Sequence, residues 1–248
     1  MPRRLGQHFL VRHSILERIA AAACAGHSAT VVEIGPGKGA LTAHLLPRAD
    51  RIIAVEVDPV LVQYLRAKFR DEPKVQIVES DILKVDLGQW GPAAIAGNLP
   101  YYITSPIIEK VVSMGPMWSR AVFLVQKEVA ERLTAAPGSR DYGFLSVQTQ
   151  FFSNAEMLFT VPPSAFHPPP KVDSAVVRLT PRSDPAFPDP RAFLRFAGRC
   201  FHQKRKTVRN NLLGEYDKAV VDSLPQTSKR AEQMSIPDLV ELYEKLRS

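Results

Sequence analysis

The sequence predicts an α/β fold, a parallel sheet covered by helices on both faces, followed by a small all-helical domain. Short, continuously apolar runs alternate with segments of helical periodicity up to about residue 135, as in parallel sheets buried on both faces. A proline-rich stretch, typical of a domain linker, follows at 180–190. Beyond it the periodicity is helical and no strand-like run occurs. We therefore predict a first domain at 1–181 and a second at 190–248.

The strands and helices of the first domain can be assigned in chain order. An opening helix is predicted at 14–25. Strands are predicted at 30–34, 51–57, 75–79, 93–97 and 121–126. The helices between and after them are predicted at 39–47, 59–69, 105–114 and 127–135. Two later runs, 158–161 and 174–180, are expected to pair at the edge of the sheet, on either side of rigid, proline-rich backbone.

Four predicted helices begin at residues whose side chains can cap backbone N–H groups. These residues are Ser14, Asp58, Ser105 and Ser235. Glu17 and Asp238 lie three residues after the first and the last of them, which is the spacing of a capping box. A proline follows Asp58 and another follows Ser105, as is common at the first helical position.

The positive charge is concentrated in one segment. The chain has 248 residues and a net charge of +7. Residues 191–210 contain seven Lys and Arg residues and no acidic residue, so the remaining 228 residues sum to zero. A single basic segment on a neutral body predicts a polyanionic partner, and nucleic acid before a membrane surface.

Composition also bears on the compartment. The longest apolar stretch, 19–26, has eight residues, far fewer than a membrane span requires. Histidines and charged residues interrupt any signal-peptide core near the N-terminus. Cys24 and Cys200 have neither a C-x-x-C spacing nor a disulfide framework. We therefore expect a protein of the reducing cytoplasm.

A glycine-rich turn predicts a nucleoside cofactor. In VVEIGPGKGALT (31–42), Gly35, Gly37 and Gly39 allow backbone to approach a ligand closely. Glu56 ends the next strand, where a carboxylate can accept hydrogen bonds from ribose hydroxyls, and Asp81 follows the third strand at the same crevice. Gly35, Gly37 and Ala40 also satisfy the dinucleotide fingerprint G-x-G-x-x-A. The turn therefore leaves both S-adenosylmethionine and NAD open.

The segment Asn98-Leu99-Pro100-Tyr101 indicates the chemistry. It follows the fourth strand, at the carboxyl edge of the sheet where ligands bind. The Asn98 side-chain oxygen and a backbone carbonyl near Pro100 can accept both N–H groups of an exocyclic amine. They would draw its delocalised lone pair toward a nucleophilic, tetrahedral geometry. Tyr101 can stack on the base that carries the amine. The segment thus predicts methyl transfer to a base nitrogen, a reaction that needs no metal.

Several stretches in order resemble the small-subunit rRNA adenine N6,N6-dimethyltransferases, the KsgA/RsmA family. They are GQHFL (6–10), VVEIGPGKGALT (31–42), ESDIL (79–83), GNLPYYITSPI (97–107), QKEVAERL (126–133), YGFLSVQTQ (142–150), VPPSAFHPPPKVDSAVVRL (161–179), FHQKRKTVRNNL (201–212) and RAEQMS (230–235). The resemblance implies a Rossmann-like class I methyltransferase fold with a small all-α C-terminal domain. It also implies dimethylation of two adjacent adenines near the 3′ end of small-subunit rRNA, with S-adenosylmethionine as methyl donor.

The resemblance also implies roles for particular residues. The cofactor would be held by His8, Leu10, Gly35, Gly37, Glu56, Asp81 and Asn98. Asn98, Tyr101 and Phe166 would be catalytic, with the two aromatic rings on either side of the adenine. Apart from the resemblance, the positive charge of segment 191–210 predicts that RNA phosphates are bound by Arg199, Lys204, Arg205, Lys206 and Arg209. This chain has His8 and Tyr102 at two positions where the family commonly has asparagine.

Three other functions are compatible with parts of the sequence. A 23S rRNA methyltransferase of the macrolide-resistance type would share the Asn-x-Pro-Tyr segment. A non-catalytic ribosome-assembly factor could retain the fold, and an NAD-dependent oxidoreductase would satisfy the glycine turn alone. Of these functions we expect dimethylation of small-subunit rRNA, with an immature small ribosomal subunit as partner. We also expect a monomeric enzyme and no membrane association.

Overall fold

The computed structural model describes residues 8–182 and 189–247. Its strands are β1 (Phe9–Leu10), β2 (Ser28–Ile34), β3 (Ala49–Glu56), β4 (Val75–Glu79), β5 (Ala93–Asn98), β6 (Trp118–Gln126), β7 (Ser153–Val161), β8 (Phe166–His167) and β9 (Ser174–Pro181). Its α-helices are α1 (His13–Cys24), α2 (Ala40–Leu45), α3 (Pro59–Lys68), α4 (Thr104–Val112), α5 (Lys127–Thr134), α6 (Phe144–Phe152), α7 (Pro190–Cys200), α8 (Val208–Leu212), α9 (Lys218–Ser223) and α10 (Ile236–Arg247).

Seven strands form one sheet in the order β4-β3-β2-β5-β6-β9-β7. The first five are parallel, and β9 and then β7 extend the sheet by antiparallel pairing. The predicted pairing of the two late strands is present, with β7 at the edge. Because β2 and β5 are neighbours with connections leaving in opposite directions, their carboxyl ends open a crevice at the switch point of the sheet.

A separate two-stranded ladder attaches the N-terminal segment to the proline-rich loop. In the ladder Leu10 pairs with Phe166, and Phe9 pairs with His167. Both Leu10 and Phe166 belong to the hydrophobic core that α1 and α2 form against the sheet. Sequence periodicity indicated neither β1 nor β8, since two-residue strands leave no alternating pattern.

The caps agree with the sequence in two helices and differ in two. Asp58 accepts a hydrogen bond from the Val60 amide, and Ser235 and Asp238 form the predicted capping box. The predictions for Ser14 and Ser105 are wrong. Helix α1 begins one residue earlier, at His13, and α4 begins at Thr104, and neither has a side-chain cap.

The described chain forms two compact units, each with its own core. One contains residues 8–130 and Phe152–Pro181, and the other contains Glu131–Phe151 and the described residues from Arg182 onward. Phe193, Leu212 and Leu239 pack in the second core together with Tyr142 and Val147. The segment 131–151, placed in the first domain by the sequence, therefore belongs to the second unit. Part of the predicted linker, 183–188, lies outside the described residues.

No helix among the described residues is both long and apolar enough to cross a membrane.

Candidate active site

A cavity of about 440 Å³ lies at the carboxyl edge of the parallel strands, within the first unit. The ends of β2, β3 and β5, the residues after β4 and the N-terminal segment contribute to its wall. Of the residues predicted from the sequence, those that line it are His8, Leu10, Gly35, Gly37, Glu56, Asp81, Asn98 and Tyr101. The structure thus brings together side chains that are up to 93 positions apart in the chain, from His8 to Tyr101.

The glycine turn between β2 and α2 is shaped by positive φ angles. They are +65° at Gly35, +59° at Gly37 and +71° at Gly39, which is backbone that a side chain at Cβ disfavours. A Cβ at Gly35 would have only the Asn98 carbonyl oxygen within 4.0 Å outside the neighbouring residues. Backbone at Gly35 therefore faces space that a ligand can fill.

Glu56 also stabilises the crevice. One carboxylate oxygen accepts a hydrogen bond from the Gly37 amide at 3.2 Å. The other accepts bonds from the Val57 and Asp58 amides at 2.9 and 3.0 Å. The side chain is almost fully buried, so these bonds replace lost hydration. The oxygen that is bound to Gly37 therefore retains acceptor capacity for a further donor, whereas the other oxygen already accepts two bonds.

Asn98 is oriented by the N-terminal segment. Its side-chain nitrogen donates to the His8 carbonyl at 2.9 Å. No hydrogen bond from a described residue reaches the side-chain oxygen. The Pro100 carbonyl accepts hydrogen bonds from the Ile103 amide at 3.2 Å and from the Thr104 hydroxyl at 3.0 Å. The Asn98 side-chain oxygen is therefore a free acceptor on the cavity wall, whereas the Pro100 carbonyl is engaged.

Tyr101 is held on two sides. Its hydroxyl shares a 2.9 Å hydrogen bond with the Ser174 hydroxyl, and burial raises the pKa of the phenol. The His8 ring stacks near it, with centroids 6.0 Å apart and planes at 27°. His8 Nδ1 donates to the Pro168 carbonyl at 2.8 Å, since a carbonyl can only accept. The Tyr101 ring is thus held at the cavity by the Ser174 hydroxyl and the His8 ring.

The structure does not place Phe166 at the cavity. Its side chain is 4% exposed and lies in the hydrophobic core beside α1. The predicted position on one face of the adenine differs from this placement, because pairing with Leu10 turns the ring toward the core. In this structure Phe166 anchors the N-terminal segment.

Three contributors were not found from the sequence. Phe9 lines the cavity and would meet a Cβ at Gly37 at 2.9 Å. Ser174 and Thr104 hold Tyr101 and the Pro100 carbonyl, respectively. Phe9 stands inside the GQHFL stretch, which was a usable signal. The two hydroxyl contacts depend on the packing of β9 and α4 and leave no pattern in the sequence.

The predicted RNA-binding residues lie in the second unit, in two electrostatic settings. Arg199 forms an ion pair with Glu215, and Arg209 binds both carboxylate oxygens of Asp222. The loop Lys204-Arg205-Lys206 is exposed. Within the described part of the chain none of its three residues forms an ion pair, and Lys204 donates to the Arg140 carbonyl at 2.9 Å. We call these three residues the basic loop.

Comparison with known proteins identifies the family. Residues 2–247 match the family described as Ribosomal RNA adenine dimethylase. The chain belongs to the ribosomal RNA adenine dimethylase family. This dimethylase is 43% identical to the Ribosomal RNA small subunit methyltransferase A of Acidobacterium capsulatum, over 98% of its own length and 90% of that protein. It is 41% identical to the protein of the same name from Koribacter versatilis, over 98% and 94%.

Solved structures agree with this assignment. The dimethylase resembles a dimethyladenosine transferase from Plasmodium falciparum with a TM-score of 0.81 and 28% identity, covering 96% of this chain and 98% of that one. It resembles the 23S rRNA methyltransferase ErmE with a TM-score of 0.73 and 30% identity, covering 97% and 100%.

Family membership confirms the predicted Rossmann-like methyltransferase fold and the predicted methylation of rRNA adenine by an S-adenosylmethionine-dependent enzyme. It also decides between the two cofactors that the glycine turn left open. The cavity suits that cofactor. The open space beside Gly35 admits a ligand, and the carboxylates of Glu56 and Asp81 suit hydroxyl and amino groups.

Proposed function

We propose that this dimethylase methylates the N6 amines of two adjacent adenines near the 3′ end of small-subunit rRNA, in an immature small ribosomal subunit. The relatives at 41–43% identity carry the small-subunit name, whereas ErmE, a 23S rRNA methyltransferase, is 30% identical. We further propose that the enzyme works as a monomer in the cytoplasm. Its two buried, unpaired cysteines are in keeping with that compartment.

One observation carries the catalytic proposal: the Asn98 side-chain nitrogen is bound to the His8 carbonyl. This bond fixes the amide so that its oxygen is presented to an incoming amine. A second acceptor is needed for the other N–H group. Because the Pro100 carbonyl is engaged, we assign that role to the carbonyl of Leu99. With both N–H groups accepted, the nitrogen lone pair is released from conjugation with the ring.

The cofactor and base are held by residues of this chain. S-adenosylmethionine, when bound, supplies a methyl group activated by its sulfonium. Gly35 and Gly37 would bring backbone close to it, Glu56 would accept bonds from its ribose hydroxyls, and Asp81 would accept a bond from its adenine amine. His8 and Leu10 would close over it. These residues position the methyl group and the amine for in-line attack, which supplies much of the rate.

The base itself is extruded from the RNA to reach Asn98. We propose that it stacks on the Tyr101 face opposite His8. We propose that the basic loop binds phosphates in the second unit, independently of base sequence, whereas Arg199 and Arg209 stay paired with Glu215 and Asp222.

The direct test is methyl transfer from labelled S-adenosylmethionine to small subunits that lack these methyl groups. We expect the label in N6,N6-dimethyladenosine after the RNA is digested to nucleosides. A parallel reaction with large-subunit rRNA separates the alternative. If the labelled methyl group were found in large-subunit rRNA and not in the small subunit, the proposal would be contradicted.

Asn98→Ala tests the chemistry. We expect turnover to fall by roughly 10²–10³-fold, the range seen when one preorganised hydrogen-bonding group is removed from an active site. RNA affinity should remain at the wild-type value. Equal loss of RNA affinity and turnover, accompanied by a lower melting temperature, would show a folding role for Asn98. Undiminished turnover would refute the catalytic assignment.

A further inference from the structure

A second cavity, of about 670 Å³, lies within the C-terminal unit and takes no part in the site described above. Helices α7 and α10 and the segment before α9 line it. Its polar wall consists of Arg195, Arg199, His202, Glu215, Tyr216 and Arg247, which we call the arginine pocket. The fold therefore gathers three guanidinium groups around one concave surface.

The convergence follows from the helices. Arg195 and Arg199 are four residues apart on α7, so they lie on the same face of that helix. Arg247 comes from the last turn of α10, and its guanidinium carbon lies 5.2 Å from the centre of the Tyr243 ring. This position over an aromatic face is favourable for a cation and restricts the arginine side chain.

The charges do not cancel within the pocket. Arg199 is paired with Glu215, the one acidic residue of the wall. Arg195 and Arg247 are exposed and form no ion pair with a described residue of the C-terminal unit. Below them, Phe196 and Tyr243 are 3% and 4% exposed and pack with ring centroids 5.3 Å apart. The pocket therefore has a rigid apolar floor and two unneutralised guanidinium groups.

A guanidinium group binds phosphate through two parallel hydrogen bonds, and two of them around one cavity can hold the same anion. We propose that the arginine pocket binds a phosphate group of the rRNA backbone through Arg195 and Arg247. Glu215 serves to hold Arg199 in place on the wall. This inference rests on the proposed function, because it takes the polyanion to be the RNA substrate. It adds an anchoring point distinct from the basic loop.

The test compares two double variants with equal charge loss. Arg195→Gln with Arg247→Gln removes the two pocket cations. Lys218→Gln with Lys229→Gln removes two exposed cations of the same unit that lie outside both the pocket and segment 191–210. RNA affinity is measured over a series of salt concentrations. Each lost contact with single-stranded RNA should lower the slope of log K against log salt by about 0.7.

Because both arginines hold one phosphate, we expect the pocket variant to show a slope reduced by about 0.7 and an affinity roughly ten-fold below that of the matched control. Cofactor affinity and melting temperature should equal those of the control. A slope and affinity equal to the control would overturn the inference. Inorganic phosphate distinguishes a small-anion site. Thermal stabilisation by phosphate that requires both arginines, together with control-like RNA binding, would also overturn it.

The same preparations keep the two proposals apart. Wild-type protein is assayed for methyl transfer to small-subunit rRNA alongside the binding series. If the wild type transfers methyl groups and the pocket variant keeps the salt slope of the control, only the arginine-pocket proposal is contradicted. If the pocket variant has a reduced salt slope but the wild type transfers no methyl groups to the rRNA, only the proposed function is contradicted.

Discussion

Glu33 is a carboxyl group buried in the strand that leads into the glycine turn. It is 1% exposed, and one oxygen accepts a hydrogen bond from the Thr42 hydroxyl at 2.5 Å. Burial raises its pKa from 4.5 to about 7, and nearby Glu56 acts in the same direction, against the Thr42 bond. The folded protein therefore holds a proton on Glu33 at a pH where the unfolded chain has released it.

This pKa predicts a pH dependence of stability. Because the folded pKa lies above the unfolded one, the contribution is complete below pH 4.5 and is lost as the pH rises to about 7. Glu33→Gln keeps the acceptor for Thr42 and cannot ionise. Relative to the wild type, the variant should gain on the order of 3 kcal/mol in free energy of unfolding between pH 4.5 and 8. Urea unfolding of both proteins at several pH values measures it, and parallel curves would contradict the raised pKa.

Tyr101 offers a prediction about stacking. Tyr101→Ala should lower kcat/KM by about 5- to 150-fold, corresponding to 1–3 kcal/mol of base stacking. Tyr101→Phe keeps the ring and loses only the bond to Ser174, so its loss should match that of Ser174→Ala. Steady-state assays with rRNA measure all three. If Phe and Ala at this position were equally impaired, the hydroxyl would matter and the stacking proposal would fail.

At this scale the sequence was most informative where backbone geometry leaves a strong pattern. Asn98, Glu56 and Asp81 were predicted because strand ends meet at one edge of a parallel sheet. Phe166 was placed differently, since its rotamer depends on a two-residue ladder. The partners of Arg199 and Arg209 were also not predicted, because both acids lie outside the basic segment.

At the scale of elements, the glycine turn and the N-terminal strand are fitted to each other. Gly37 has φ of +59°, and a Cβ there would lie 2.9 Å from a Phe9 ring carbon. Gly37→Ala therefore adds a steric conflict to the backbone strain of roughly 1–2 kcal/mol that alanine incurs at such a φ. We expect it to displace Phe9 and to weaken cofactor binding by at least ten-fold.

Gly138→Ala is the matched control, with φ of +84° and no atom within 4 Å of the added Cβ. It should incur the backbone strain alone. In the double variant Phe9→Ala with Gly37→Ala the steric conflict is gone. Its free energy of unfolding should therefore lie below that of Phe9→Ala alone by the backbone strain only. Cofactor titration and urea unfolding report both effects. A Gly37→Ala protein that behaves like Gly138→Ala would rule out the Phe9 contact.

The loop after α7 permits a prediction about which cations bind RNA. Arg205 and Lys206 are exposed and free of ion pairs within the described chain, whereas Arg209 is bound by Asp222. Replacing Arg205 and Lys206 with glutamine should lower the salt slope by about 1.4 for single-stranded RNA. Arg209→Gln should leave the slope unchanged and lower the melting temperature. The reverse pattern would show that Arg209 exchanges Asp222 for phosphate.

The strands were predicted more successfully than the segment after α5. All five parallel strands lie close to their predicted positions because each is a continuous apolar run between turn residues. Helix α6 was missed, since YGFLSVQTQ mixes aromatic and β-branched residues and carries no cap signal. The second unit recruits it through Tyr142 and Val147, and this packing outweighs weak helix propensity.

At the scale of the whole molecule, the chain crosses from one compact unit to the other and back before its final helices. Segment 131–151 leaves the first unit between β6 and β7 and packs in the second core. Sequence periodicity shows that a helix buries a face but not which core receives it. The domain boundary that the sequence predicts at the proline-rich stretch 180–190 therefore stays a prediction about which segments fold independently.

The two cysteines lie one in each core. Cys24 is 2% exposed among the residues of α1, and Cys200 is fully buried at the end of α7. Burial raises the pKa of both thiols, that of Cys200 to about 12. Since thiolates are the reactive form, neither should react with an alkylating reagent until its surroundings open.

The alkylation rates of Cys24 and Cys200 therefore report separately on the opening of the two cores. Saturating S-adenosylmethionine should slow alkylation of Cys24, because its cavity belongs to the same unit, and leave Cys200 unchanged. Mass spectrometry of the two peptides reads each rate separately in one sample of unmodified enzyme. Equal slowing of both would mean that the two cores open in a single cooperative event. Unequal slowing would measure the free energy of opening of each core in its own right.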